Sequence, residues 1–281
     1  MATNVLELRP HERVTAKTMR GAAITTLDDI RSAAEYLASK VAEFGLKAMV
    51  WPDLATLDAP VDGAGAPLHG SVFGWSAEAL APWQVVDRAM RSPYLRAARV
   101  ASEPLLISRD GIRSRSRSAN RLLDHIDLTE LDTCPAPAAS AIVIPIHMPL
   151  GQIGAAILTP RDADTGDLTA LFDVCAAPLT AAVWRFITGY VSVSRDERYL
   201  PTEGLLTTRE IECLSWVAHG KTDYEISIIL GCSHAGVRYH VTRACAKLGA
   251  VNRAQSVFRA AQLGYLGAPL APRKAGGERA N

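Results

Sequence analysis

The chain has 281 residues, of which 48% are hydrophobic and 21% charged, with a formal net charge of +1. This is the profile of an ordinary globular protein, and its length suggests two domains. Charges in the opening MATNVLELRPHERVTAK occupy the place of an apolar signal core. The most apolar late stretch, 168–193, is interrupted by Asp173, Pro178 and Arg185, so neither secretion nor a membrane span is expected.

The charge is unevenly spread. From Pro201 onward there are ten Lys and Arg against six Asp and Glu, a net of +4; the first 200 residues hold the remaining 20 and 23, a net of −3. A basic module attached to a near-neutral partner domain fits nucleic-acid binding. A net of +4 is modest, so dimerisation, which doubles the phosphate contacts, is expected. The five cysteines (Cys134, Cys175, Cys213, Cys232 and Cys245) are odd in number and show no CxxC spacing. They read as free, mostly buried thiols in a reducing cytoplasm.

In chain order, residues 1–24 read as an irregular arm. Thr25 or Thr26 can cap a helix to about Phe44, with Ile30, Ala33, Ala34, Leu37, Val41 and Phe44 on one face and Gly45 as its stop. A strand is expected over 46–51, a loop over 58–67 and a second strand over 69–73. Helical pieces over 75–99 break at Pro82 and Pro93, and 103–108 reads as extended. The Arg/Ser tract 109–121 (RDGIRSRSRSANR) resembles an RNA-binding or phosphorylatable segment but reads better as a solvated loop or helix start. A Pro/Ala loop spans 124–139. The apolar runs 141–146 and 153–158, joined by HMPLGQ, form the clearest β-hairpin. One long or kinked helix is expected over 164–193, with Pro178 bending it. The linker is placed at 194–204 and a disordered tail at 268–281. The fold class is α+β: an N-terminal α/β/α sandwich with an antiparallel sheet (25–193), followed by an all-α, four-helix helix-turn-helix domain (205–267). Such a sandwich can hold a ligand between sheet and helices.

The C-terminal stretch is the most explicit. Thr207 with Glu210, and Thr222 with Glu225, have the spacing of capping boxes; Leu206 and Ile211 flank the first as a staple. Gly220 and Gly231 end these helices, Ser233 can cap a third, and a fourth starts near Asn252 with Ala254, Val257, Phe258 and Ala261 on one face. Two helices joined by a short Gly-containing turn form a helix-turn-helix, the second entering the major groove. In the third helix Val237, Val241, Ala244 and Leu248 share a side, so Arg238, Tyr239, Thr242 and Arg243 point outward. Arg can fork onto guanine, and Thr can bond a base or touch a thymine methyl. Lys221 and Lys247 are placed for phosphate contacts.

These residues resemble the LuxR-type helix-turn-helix family: LTxRE, then GKT, EI, LG, S, a valine-basic-aromatic-His-Val core, KLG and NRxQ, over roughly sixty residues. The resemblance implies that Arg238, Tyr239 and Thr242 face bases. Gly236 stands where the family usually has Thr, so the target sequence does not carry over.

The first 190 residues resemble, more faintly, the autoinducer-binding domain that precedes such modules. ASAIVIPIHMPLGQIGAAIL is the best match, followed by WSAEALAPWQVVDRAMRSPYLRAA. Setting Pro93 on the family's Asp-Pro puts Ser92 at its aspartate, which accepts the ligand amide. The family's tyrosine then falls on Trp83 and its lactone-facing tryptophan on Ala79. Pocket candidates are Trp75, Trp83, Ser92 and Tyr94. Two readings stay open. Either the chain does not sense a common acyl-homoserine lactone, or the register shifts by a few residues and Trp75 or Trp83 takes the lactone-facing role.

The function expected is a transcription regulator binding double-stranded DNA as a homodimer. The alternatives are a partner-dependent regulator working as a heterodimer with a related protein, and a conventional lactone-gated quorum-sensing regulator. RNA polymerase is a further candidate partner. No GxSxG, Walker loop, HExxH or GxGxxG opening a helix supports an enzyme, and the βα alternation of a receiver domain is missing. No cofactor or metal is expected: His219, His234 and His240 lack a second ligand set.

Overall fold

The computed structural model describes residues 23–115, 121–132, 140–162, 167–194 and 205–267. Most of the expected arm, the linker from 195, the tail and Cys134 lie outside them. The chain divides into two compact units at residues 196/197, residues 149–151 excepted.

The first unit is an α/β/α sandwich. It runs α1 (Asp29–Ala42), β1 (Leu46–Trp51), short helical turns at Leu68–Ser71, Ala77–Leu80 and Ala81–Gln84, α2 (Val86–Arg91), α3 (Pro93–Val100), β2 (Leu105–Ser108), β3 (Gly111–Ser114), β4 (Ser140–His147), β5 (Ile153–Pro160) and α4 (Thr169–Ser194). The sheet order is β1-β5-β4-β2-β3, with every pairing antiparallel. The expected hairpin is its centre. β4 and β5 are buried almost throughout, which is why they read as continuous apolar runs rather than alternating ones.

Pleating separates the two covers. Ile146 pairs with Gly154 and His147 with Ile153, so Gly154 and His147 face opposite ways. A Cβ on Gly154 would lie 2.7 Å from Ile187 Cγ2, which places α4 on that face. His147 Nε2 lies 3.0 Å from Ala98 O, which places α3 on the other. Pro145 fits a central strand because β2 pairs with β4 only as far as Val143. The Met148 N–H donates to Gln152 O, and counting back from this pair turns the Pro145 nitrogen toward the side where β2 has ended.

Four expectations need correction. The Asp29 carboxylate gathers the Thr25 and Thr26 N–H and hydroxyl groups at 2.7–3.1 Å, so neither Thr caps α1, which begins at Asp29 and ends at Ala42. The second strand at 69–73 is a helical turn. This turn and the residues after it seal the free edge of β1: His69 Nε2 lies 2.8 Å from Val50 O, and Trp75 Nε1 donates to Ala48 O at 2.6 Å. The Arg/Ser tract opens as strand β3, not a loop or helix, because Arg109-Asp110 make a two-residue hairpin turn closed by the Ser108–Gly111 pair, with Gly111 at φ +138°. Finally, α4 starts at Thr169 rather than 164; it is one long helix with Pro178 inside, as expected. Val174, whose carbonyl loses its partner to Pro178, is on the exposed side. Among the described residues α4 alone is long and apolar enough to cross a membrane, but Phe172, Cys175, Leu179, Val183, Phe186 and Ile187 bury one side of it in the core.

The second unit has α5 (Thr208–Ala218), α6 (Asp223–Leu230), α7 (His234–Lys247) and α8 (Arg253–Gln262). Both capping boxes form: Thr207 and Thr222 hydroxyls accept from Glu210 and Glu225 N–H at 3.3 Å, and each Glu accepts the Thr N–H at 2.8 Å. Ser233 and Asn252 cap α7 and α8 at 3.0 and 2.8 Å, and Gly231 ends α6 at φ +62°. Leu206, Leu214, Ala244, Leu248 and Ala260 form one core, and Cys213, Ile226, Val237 and Val241 another. In α8 the expected face is turned round. Ser256 and Ala260 are buried, Val257 is half-buried, and Ala254, Phe258 and Ala261 are exposed.

Candidate nucleic-acid interface

α7 is sorted by its own period. Val237, Val241, Ala244 and Leu248 sink into the two cores, and Arg238, Tyr239, Thr242 and Arg243 are all exposed on the opposite side. Arg243 lies over the Tyr239 ring at 6.0 Å, and Tyr239 stands edge-on to His240 at 5.5 Å. Gly236, in the first turn of α7, is half-exposed; a Cβ there would meet only Ser233 Oγ, at 3.2 Å.

Charge pairing separates structural cations from free ones. Residues 205–267 carry seven Lys and Arg and four Asp and Glu. All four acids are paired within the unit: Glu210 with Lys247, Glu212 with Arg209, Asp223 with Arg253 and Glu225 with Lys221. Among the described residues that leaves Arg238 and Arg243 without a carboxylate. Arg259 donates to Leu248 O and Gly249 O, satisfying the C-terminal carbonyls of α7. Arg238 and Arg243 keep their guanidinium donors open, with the geometry to fork onto base edges or phosphates.

Lys247 therefore departs from its expected place. Its ammonium lies 2.8 Å from Glu210 and 3.2 Å from Leu205 O and is largely buried. Burial pushes the Glu210 carboxyl up, but Lys247 and the Thr207 amide outweigh it and hold it below the usual range. Lys247 is a tie between α7 and α5. Lys221 is half-exposed and 3.2 Å from Glu225. It borders an open cleft of about 450 Å³ with Thr222, Tyr224, His234 and Arg253. Tyr224 is an exposed neighbour that sequence reasoning passes over, since nothing in its spacing marks it, and His234, weighed there only as a metal ligand, is exposed beside it. Arg253 donates to Lys221 O at 2.6 Å and pairs with Asp223, fixing α8 to the start of α6.

The family described as bacterial regulatory proteins, luxR family, matches residues 204–260. The C-terminal unit is a LuxR-type helix-turn-helix domain. Relatives of the chain include transcriptional activator protein VanR of Vibrio anguillarum, 32% identical over 123 residues that make up 44% of this chain and 50% of VanR. Transcriptional activator protein PhzR of Pseudomonas fluorescens is 27% identical over 186 residues, 66% of this chain and 70% of PhzR. The chain thus spans half the length of VanR. The crystal structure of Escherichia coli SdiA aligns over 89% of this chain and 95% of SdiA, at 16% identity and a TM-score of 0.46, too low to carry an argument about site or ligand.

Ahead of the LuxR-type domain, the four pocket candidates are all buried. Trp75 is committed to the sheet edge through Ala48 O, with the Lys47 ammonium 4.0 Å from its ring centre. Trp83 packs against Trp51 at 5.6 Å, and neither indole N–H has a hydrogen-bond partner. Trp51 was not among the candidates, because at the end of a strand it reads as plain core. Ser92 lies at the junction of α2 and α3, and Tyr94 is in the first turn of α3. Burial pushes His69, between Trp51 and Phe73, down toward its neutral form.

Proposed function

We propose that the chain is a homodimeric transcription regulator of the cytoplasm that binds double-stranded DNA. In this reading Arg238, Tyr239 and Thr242 contact bases, and Arg243 and Lys221 contact phosphates. The observation that carries it is the outer face of α7, where exposed polar groups remain open after the four acids of residues 205–267 have been paired. The names of VanR and PhzR, both transcriptional activators, point the same way. Two exposed apolar faces support pairing of copies: Phe258 with Ala254 and Ala261 on α8, and Trp184 with Val174, Ala177 and Ala181 on α4. Apolar faces of this kind mark association surfaces. The N-terminal unit does not respond to a common acyl-homoserine lactone in this reading. Ser92, in place of an aspartate, offers a ligand amide only a neutral hydrogen bond, which is weaker than a charge-assisted one.

The test is binding of the protein, purified from a host that makes no acyl-homoserine lactone, to its own upstream region, with mass measured by light scattering. A dimer that binds specifically without additive is the expected result. An inactive protein rescued by a lactone overturns the ligand part alone. A stable monomer that binds only with a second regulator overturns the homodimer.

A further inference from the structure

We propose that the N-terminal unit carries an anion site at the start of β1, in which Lys47, Thr159 and Arg161 bind the carboxylate or phosphate group of a small molecule. The site is independent of the DNA-binding reading and stands apart from the Trp51–Trp83 contact, four residues further along β1 or roughly 13 Å away.

The backbone brings the three together. Lys47 is paired directly with Thr159 across the β1–β5 ladder, and opposed residues share a face. Arg161 follows Thr159 by two residues and so points the same way. The Arg161 N–H donates to Gly45 O at 2.9 Å and its Nε to Leu46 O at 3.1 Å, which anchors the guanidinium beside Lys47. Diagonal cross-strand neighbours of this kind lie within reach of long side chains. The Trp75 ring supports the Lys47 ammonium at 4.0 Å.

Three observations indicate that something is meant to bind there. Lys47 and Arg161 are neighbouring cations, and no carboxylate pairs with either among the described residues. Thr159 is 1% exposed, and its hydroxyl has no hydrogen-bond partner, a costly arrangement for a buried polar group. Burial, and then repulsion from Arg161, holds the Lys47 ammonium below its ordinary value, so the pair is unfavourable until a negative charge offsets it. An ammonium, a guanidinium fork and a hydroxyl donor on one face are complementary to an oxyanion, which accepts from all three.

The experiment titrates the full chain with inorganic phosphate and, separately, benzoate, at fixed pH and ionic strength. Tryptophan fluorescence reports through Trp75, with calorimetry as the second readout. A saturable response is expected for at least one anion, its midpoint weakened about tenfold or more by Lys47→Met and by Arg161→Gln. A response to phosphate alone assigns a phosphate-bearing ligand, and one to benzoate alone a carboxylate. Arg161 is exposed, so Arg161→Gln keeps the test decisive if Lys47→Met does not fold. No saturable response to either anion, or an unchanged midpoint in Arg161→Gln, overturns the proposal.

Discussion

Lys247→Met separates a structural lysine from a phosphate-binding one. The substitution removes an ammonium 2.8 Å from the Glu210 carboxylate, which is 4% exposed and also accepts the Thr207 N–H at 2.8 Å. Breaking a buried pair from one side leaves a charge without compensation, at about 3–5 kcal/mol. Lys247 is itself 19% exposed, so water reaches the site and the lower end, about 3 kcal/mol, applies. That is a large fraction of the stability of a unit this small, and it should appear as a lowered urea midpoint for the C-terminal transition. Pairing the substitution with Glu210→Gln removes both charges but keeps an oxygen to accept the Thr207 N–H, so the capping box survives. The double variant should regain most of the lost stability and bind DNA with the wild-type salt dependence. The reasoning fails if Lys247→Met is as stable as wild type while its salt slope on DNA flattens by about 0.9, the value of one lost phosphate contact.

Arg238→Ala should cost on the order of 1–3 kcal/mol at one base position; equal loss on unrelated DNA would refute base reading. Gly154→Ala drives a Cβ to 2.7 Å from Ile187 Cγ2 and 2.9 Å from Pro52 O, and since backbone yields poorly it should destabilise the first unit by about 1–3 kcal/mol. An unchanged melting temperature would show that α4 rides up freely. Three helix-start carboxylates titrate low: Asp29 and Glu225, each at about 2 through hydrogen bonds from Thr25 and Thr222 respectively, and Glu210, where Lys247 outweighs burial. Their folded values lie below the unfolded ones of about 3.9–4.3. Their contribution is therefore complete above about pH 4.3 and lost as pH falls toward the lowered values. The urea midpoint at pH 3 should lie well below that at pH 7, and equal midpoints would count against the capping boxes.

What the sequence reveals depends on whether the deciding interaction is local. Thr207 to Glu210, Thr222 to Glu225, Ser233 to Gly236 and Asn252 to Gln255 are each three residues apart. Capping chemistry of this reach is readable from composition alone, and so was the β4–β5 hairpin. The Arg109-Asp110 turn is equally local but is obscured by the Arg/Ser pattern around it. The covering of β1 was not readable, because His69 and Trp75 act on Val50 and Ala48 from 19 and 27 residues away. The helical turn there exists to bring those side chains to an open strand edge. The facing of α8 failed for a related reason. A ten-residue helix with small residues on two sides has no preferred inner face until its neighbours exist, and the face that turns inward carries Ser256 and Ala260, the latter packed with Leu206, Leu214, Ala244 and Leu248.

The same distinction governs the binding face. By sequence, Lys247 and Arg238 are equivalent: two cations on one helix of a basic module. Nine positions on a helix correspond to two and a half turns, or about 180° of rotation, so they cannot share a face. The fold completes the argument through Glu210, 37 residues from Lys247. A cation already bonded to a buried carboxylate has little to gain from a phosphate, because it must give up one partner to reach another. A cation with no partner loses only water. The positive charge of residues 205–267 is thus not diffuse. Once Glu210, Glu212, Asp223 and Glu225 are matched with their partners, Arg238 and Arg243 stay open on the outer side of α7, beside Tyr239 and Thr242. Net charge predicts that such a unit is attracted to a polyanion; pairing says which cations are left open to meet one in the proposed reading.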